Sequence, residues 1–168
     1  MRIFLIGYMG SGKTVTGTKL AEALNYEFLD LDLLFEEKYH ITINDFFTKY
    51  GEDLFRILEH KLLRDHLEND NMVISVGGGT PCFFDNMKWM NEIGLTIYLK
   101  TTVDLLYNRL SRSRKPRPIL NGKSEDNLKS HIEKQLSERE TFYQQATLTV
   151  SEEDLDIESL ADRINHLL

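Results

Sequence analysis

Gly7-Tyr8-Met9-Gly10-Ser11-Gly12-Lys13-Thr14 follows directly on the apolar run Ile3-Phe4-Leu5-Ile6 and leads into a stretch with helical spacing. Glycine, any four residues, then Gly-Lys-Thr is the spacing with which a chain wraps the phosphates of a nucleotide. Gly7, Gly10 and Gly12 let the main chain turn tightly and aim successive N–H groups at anionic oxygens, and the following helix adds the positive end of its dipole. Lys13 then reaches the outer phosphates, and the Thr14 hydroxyl takes one position on Mg²⁺. A glycine-rich turn with a chance lysine would explain neither the complete spacing nor the strand-loop-helix setting.

Outward from this loop, strand-like runs recur at Ile3 to Ile6, Glu27 to Leu29, Met72 to Val76, Leu95 to Leu99 and Thr147 to Val150, with helical patterns between them. That alternation predicts an α/β fold of three layers, a five-stranded parallel sheet with helices on both faces. Val15, Leu20, Ala21 and Leu24 are expected on the inner face of the helix that leaves the loop, and Leu54, Phe55, Leu58, Leu62 and Leu63 on that of a later one. Ile157, Leu160, Ile164 and Leu167/Leu168 are expected to pack the last helix home. In such sheets ligands gather at the carboxyl ends of the strands.

The 168 residues suit a single domain over 1–168, and the formal charge of -7 argues against a nucleic-acid partner, whose binding is driven by counterion release to Lys and Arg. Cys82 is the one cysteine, so no internal disulfide is possible and a reducing cytoplasm is the expected location. No stretch approaches membrane-spanning length, and no membrane partner is expected. With no apolar patch evident in the sequence, the chain is expected to be a monomer.

Candidate chemistry lies after each strand. Asp30 and Asp32 stand one residue apart after the second run; Asp30 is placed to reach the metal of the phosphate loop, and Asp32 to orient an acceptor hydroxyl or take its proton. Either is equally suited to capping a helix. Gly77-Gly78-Gly79 ends the third run, where glycines that pack nothing point to a close approach between backbone and ligand. Arg56, with Glu59 one turn on, and Arg139 are isolated arginines, which usually carry no function; given an anionic acceptor, guanidinium is the group shaped to grip its carboxylate through two parallel hydrogen bonds. Five of the nine residues from Arg109 to Arg117 are basic, in a polar segment containing Pro116 and Pro118. This segment, about 112–124, is expected to form a mobile lid that neutralises phosphate charge and excludes water. The five histidines, Trp89 and Met90, and the acidic Glu152-Glu153-Asp154 read as structural, the last as an exposed turn.

The ordered set GYMGSGKT at 7–14, Asp30-Leu31-Asp32, Gly51 to Arg56, Gly77-Gly78-Gly79, Arg117-Pro118-Ile119-Leu120 and Arg139 with Tyr143 resembles the shikimate kinases, P-loop enzymes related in fold to nucleoside monophosphate kinases. The resemblance implies ATP and Mg²⁺ as cofactors and shikimate, phosphorylated at its 3-hydroxyl, as acceptor. It implies that Gly10, Ser11, Gly12, Lys13, Thr14 and Val15 wrap the ATP phosphates, that Thr14 and Asp30 serve the metal, and that Asp32 holds the acceptor hydroxyls. Arg56 and Arg139 would hold its carboxylate, the backbone at Gly78 and Gly79 would line its pocket, and Phe47 and Phe55 would wall it. Helices within about 31–66 would carry the acceptor side. Arg117 would bridge to the transferring phosphate alongside Lys13, and Arg109 resembles the arginine that lies on adenine. The chain departs from the family at Thr141, where proline is usual, and at Ile119, where leucine is. A guanine-nucleotide switch is disfavoured, since neither Asp-x-x-Gly nor Asn-Lys-x-Asp occurs.

Overall fold

The first strand, β1 (Arg2–Ile6), buries every residue after Arg2, which is how a strand reads when both sheet faces are covered. The computed structural model describes residues 1–65, 69–113 and 125–167. Within them β1 is followed by α1 (Lys13–Leu24), β2 (Glu27–Asp30), α2 (Leu31–Tyr39), α3 (Ile43–Tyr50), α4 (Glu52–Asp65) and β3 (Met72–Ser75). A short 3-10 turn (Thr80–Cys82), α5 (Asn86–Ile93), β4 (Leu95–Lys100), α6 (Val103–Arg112), α7 (Glu125–Tyr143), β5 (Leu148–Ser151) and α8 (Ile157–Asn165) complete the order. Among the described residues the five strands form one sheet in the order β2-β3-β1-β4-β5, with every pairing parallel.

Side chains alternate across a strand, and here the alternation sorts the core into two halves. Ile3, Leu5, Val73, Ile97 and Leu99 pack with Leu20 and Ala21 of α1 and with Leu160 and Ile164 of α8. Phe4, Ile6, Ile74 and Tyr98 face the other way, against Phe35, Phe46, Phe55, Leu62, Met90, Leu106 and Ile132 from α2 to α7. The three expected layers are therefore present. The register places Asp30 beside Ser75, Leu5 beside Ser75 and Ile6 beside Tyr98, so the carboxyl ends share one edge. The phosphate loop leaves the middle of that edge.

Some helix faces differ from expectation. Val15 is 62% exposed, because α1 buries Lys13, Thr16, Gly17, Leu20 and Ala21, and Val15 lies about 140° around the helix from Leu20 at 3.6 residues per turn. Leu54 is 41% exposed for the same reason, set aside from the stripe of Phe55, Arg56, Glu59, Leu62 and Leu63. Leu167 is exposed just beyond the end of α8. Leu54, Ile57 and Tyr50 together leave more apolar surface on α3 and α4 than the sequence suggested. The expected lid lies outside the described residues except for Arg112 and Ser113, and Arg117 lies outside them too. No described helix is long and apolar enough to cross a membrane.

Gly94, which joins α5 to β4, has no room for a side chain: a Cβ there would stand 2.5 Å from the Arg2 carbonyl oxygen and 2.9 Å from the Phe4 ring. Gly94→Ala should cost about 1–3 kcal/mol by overpacking, read as a lower urea midpoint with an unchanged slope.

Candidate active site

The phosphate loop is shaped by two left-handed glycines, Gly10 (φ 80°) and Gly12 (φ 88°), the second of which caps α1 without offering a side chain. The first-turn N–H groups of α1 thus face the loop with no side-chain cap competing for them. Lys13 is buried, and its Nζ donates to the carbonyl oxygens of Gly7 and Tyr8, both at 2.9 Å. The ammonium is thereby held against its own loop. A cleft of about 600 Å³ runs along this surface, lined by Gly10, Gly12 to Thr16, Asp30, Asp32, Ser75, Gly78, Arg109 and Glu152.

Asp30 takes the capping role that the sequence left open and also reaches the phosphate loop. Its Oδ1 caps α2, accepting from the N–H groups of Asp32 (3.0 Å) and Leu33 (3.3 Å), while Oδ2 accepts from the Thr14 hydroxyl at 2.7 Å. A hydroxyl and a carboxylate adjoining at the mouth of the loop are hard oxygen donors, few in number, which suits a cation that keeps water and phosphate oxygens as its other ligands. Among the described residues no group of three or more His, Cys, Asp or Glu assembles a metal cage. Asp32 lies in the first turn of α2 and lines the same cleft.

The three glycines after β3 are explained by side chains that crowd them. A Cβ at Gly77 would stand 2.9 Å from Glu59 Oε1 and 3.0 Å from Asp32 Oδ1; one at Gly79 would overlap the Arg56 guanidinium; and one at Gly78 would stand 3.4 Å from Arg139 Nη1. The sequence points to a ligand close to these glycines; the close approach that the structure shows is to the protein's own groups. Arg56 is 5% exposed; it donates to Glu59 at 2.9 Å and to Glu52 at 3.0 and 3.1 Å. Burial alone would depress this guanidinium, but Glu59 and Glu52 outweigh it and hold it above its ordinary value. Glu59 in turn accepts from Thr80 Oγ1 at 2.6 Å.

The rings near Arg56 include the expected Phe55 (5.1 Å) and Phe47 (6.0 Å), and a closer one that the sequence did not betray, Phe83 at 4.3 Å. Arg139, 8% exposed on α7, lies over the Tyr8 ring at 5.5 Å, and its Nη1 is a buried donor with no hydrogen-bond partner among the described residues. Tyr143 donates to the Gly78 carbonyl oxygen at 2.5 Å, joining the end of α7 to the glycine run. Burial raises its phenol well above the ordinary value, with Arg139 opposing.

Arg109 leaves α6 towards the loop, donating to Gly10 O at 3.2 Å and to Glu152 Oε1 at 2.9 Å. Glu152 therefore departs from the exposed turn expected of it: only 17% of its side chain is exposed, because β5 delivers it to the edge where Arg109 arrives. No spacing in the sequence links two residues 43 positions apart. The histidines outside 66–68 behave as structural groups; His60, for instance, bonds to Asn86 and Arg64.

Over residues 9–168 the chain matches the family described as shikimate kinase. A shikimate kinase of Bacteroides thetaiotaomicron is 45% identical over 172 residues, with 100% of this chain and 98% of the relative covered. One of Flavobacterium johnsoniae is 34% identical, covering 99% and 98%. The solved shikimate kinase of Bacteroides thetaiotaomicron superposes with a TM-score of 0.90 at 44% identity, covering 99% and 97%. The Acinetobacter baumannii enzyme, solved in complex with shikimate, gives 0.87 at 34%, covering 99% and 91%. Deoxyadenosine kinase from M. mycoides, at 18% identity and 0.60, shares the fold.

Cys82 neighbours both arginines, yet burial pushes its thiol up to about 11 against their opposing pull. At pH 8 only about one molecule in a thousand should carry a thiolate, so modification by a thiol reagent should be far slower than for free cysteine and rise about tenfold per pH unit up to pH 11. A time course of labelling against pH checks this.

Proposed function

Because the chain belongs to the shikimate kinase family and catalyses the ATP-dependent phosphorylation of shikimate, we propose a division of labour among its residues. The observation that carries it is a single cleft joining the phosphate loop to Asp32 and Gly78, beside which Arg139 keeps a buried N–H donor unpaired. Gly10 to Val15 wrap the triphosphate with main-chain N–H groups. Arg56 and Arg139 clasp the carboxylate of shikimate, and Gly78 and Gly79 admit its ring.

Asp32 accepts the hydrogen bond of the 3-hydroxyl, whose oxygen bonds to the terminal phosphorus as the bridge to ADP breaks. Phosphoryl transfer asks the protein mainly for alignment and for charge matched to the transition state. Lys13 supplies that charge once a triphosphate replaces the Gly7 and Tyr8 carbonyls as its partner. Magnesium, held by Thr14 and Asp30 together with water and phosphate oxygens, would neutralise charge shared by the outer phosphates. Arg117 is assigned to the transferring phosphate by family resemblance, and Arg109 to the base, where its bonds to Gly10 and Glu152 are consistent with a position over the loop.

We read the chain as a monomeric kinase with a single domain over 1–168, its five strands joined in one sheet. The lone cysteine fits a cytoplasmic setting.

ADP release measured in parallel with shikimate, gluconate and no acceptor should be rapid only with shikimate; an equal rate with gluconate would overturn the acceptor assignment. In the same assay Arg139→Ala should raise the KM for shikimate by about tenfold or more with a smaller change in that for ATP, since it deletes a charged hydrogen-bond donor. Lys13→Ala should instead lower kcat by about a hundredfold or more.

A further inference from the structure

Tyr8 is the second residue of the phosphate loop, yet its side chain turns away from the phosphates. It is 1% exposed and shares a core with Ile132 and Tyr143 of α7. Its hydroxyl donates to Gln135 Oε1 at 2.6 Å. Gln135 stands four residues before Arg139, on the same face of α7. The Tyr8 ring lies 5.5 Å from the Arg139 guanidinium carbon, within reach of cation–π attraction. Its main-chain oxygen, meanwhile, accepts from Lys13 Nζ at 2.9 Å. One residue therefore touches both the ammonium aimed at phosphate and the guanidinium aimed at the acid.

We propose that Tyr8 is a positioning residue of the acceptor site: its ring, braced by the bond from its hydroxyl to Gln135, holds Arg139 in place. The proposal rests on the reading of Arg139 as a clasp for the shikimate carboxylate. The physical need is clear from the geometry. Arg139 is more than nine-tenths buried, and its Nη1 finds no hydrogen-bond partner among the described residues, so the guanidinium is held by its remaining contacts, a hydrogen bond with Tyr143 and the Tyr8 ring. A long, flexible side chain loses much rotamer freedom when it grips a ligand, and a ring beneath it removes that loss before the ligand arrives. The bond to Gln135 keeps the ring from sliding along α7. Tyr8 does not itself reach the acceptor and acts only through Arg139.

Steady-state kinetics with shikimate and ATP varied separately, on Tyr8→Leu, Tyr8→Phe, Gln135→Leu and Arg139→Ala, with thermal melts to verify folding, test the assignment. Tyr8→Leu should raise the KM for shikimate about tenfold while the KM for ATP stays within about twofold, the reverse of what a change in a phosphate loop ordinarily does. Tyr8→Phe keeps the ring and should recover most of that loss, and Gln135→Leu should match it. Added to Arg139→Ala, Tyr8→Leu should have no further effect on the shikimate KM, because no guanidinium is left to place.

An effect confined to ATP, a fall in kcat with both KM values unchanged, or full additivity with Arg139→Ala would overturn the proposal. If Tyr8→Leu does not fold, Tyr8→Met, which removes the ring but keeps its bulk, takes its place, and an unchanged shikimate KM in a folded Tyr8→Met sinks the proposal. If Arg139→Ala itself leaves the shikimate KM unchanged, the reading of the acceptor site falls and takes this one with it. If Arg139→Ala matters and Tyr8 does not, only the role of Tyr8 is lost.

Discussion

Keeping two guanidinium groups charged while almost fully buried is the constraint around which the acceptor side of this protein is organised. A buried charge without partners is expensive, and losing one partner of a buried pair commonly costs more than the pair contributes. Arg56 meets the constraint with carboxylates, Glu59 from within and Glu52 from the rim, and with the rings of Phe55 and Phe83. Arg139 meets it differently, with the Tyr8 ring, the Tyr143 hydroxyl and one N–H left unpaired among the described residues. The first arrangement is complete without a ligand. The second leaves a buried N–H open, a group whose burial stays costly until an acceptor pairs with it.

The glycine run after β3 follows from the same constraint. With a side chain at 77 or 79, Asp32 of α2 and Glu59 and Arg56 of α4 would have to withdraw, and one at 78 would press on the main chain of the phosphate loop at Met9. The absence of side chains lets those helices converge on a single strand end. That convergence places Asp32, Arg56 and Glu59 at the same sheet edge as the phosphate loop, and the parallel register does the rest by lining up Asp30, Ser75 and the end of β1.

What was legible in the sequence divides along physical lines. The five strands and their parallel order were signalled by runs of apolar residues separated by helical spacing, and the loop by its glycines. Asp30, Arg56 and the pairing of Arg56 with Glu59 were visible because they depend on neighbours a helical turn or less away. Val15 and Leu54 were misjudged because a hydrophobic residue near a stripe was counted as part of it, when the helical angle puts each well to one side. Phe83 beside Arg56, Glu152 beside Arg109 and Tyr8 beneath Arg139 were not legible at all. Each joins segments far apart in the chain, and no periodicity records which side chains a sheet edge will bring together.

The all-parallel sheet also has a blunt end. Its strands begin on the edge away from the chemistry, where Asn25 makes a left-handed turn before β2 and Asp70 stands 82% exposed before β3. With a rise of roughly 3.3 Å per residue, strands of four to five residues put that edge about 15 Å from the catalytic one. A dye, a surface tether or an inserted peptide would be best tolerated there, which makes this rim the natural handle for immobilising the enzyme with its working mouth open.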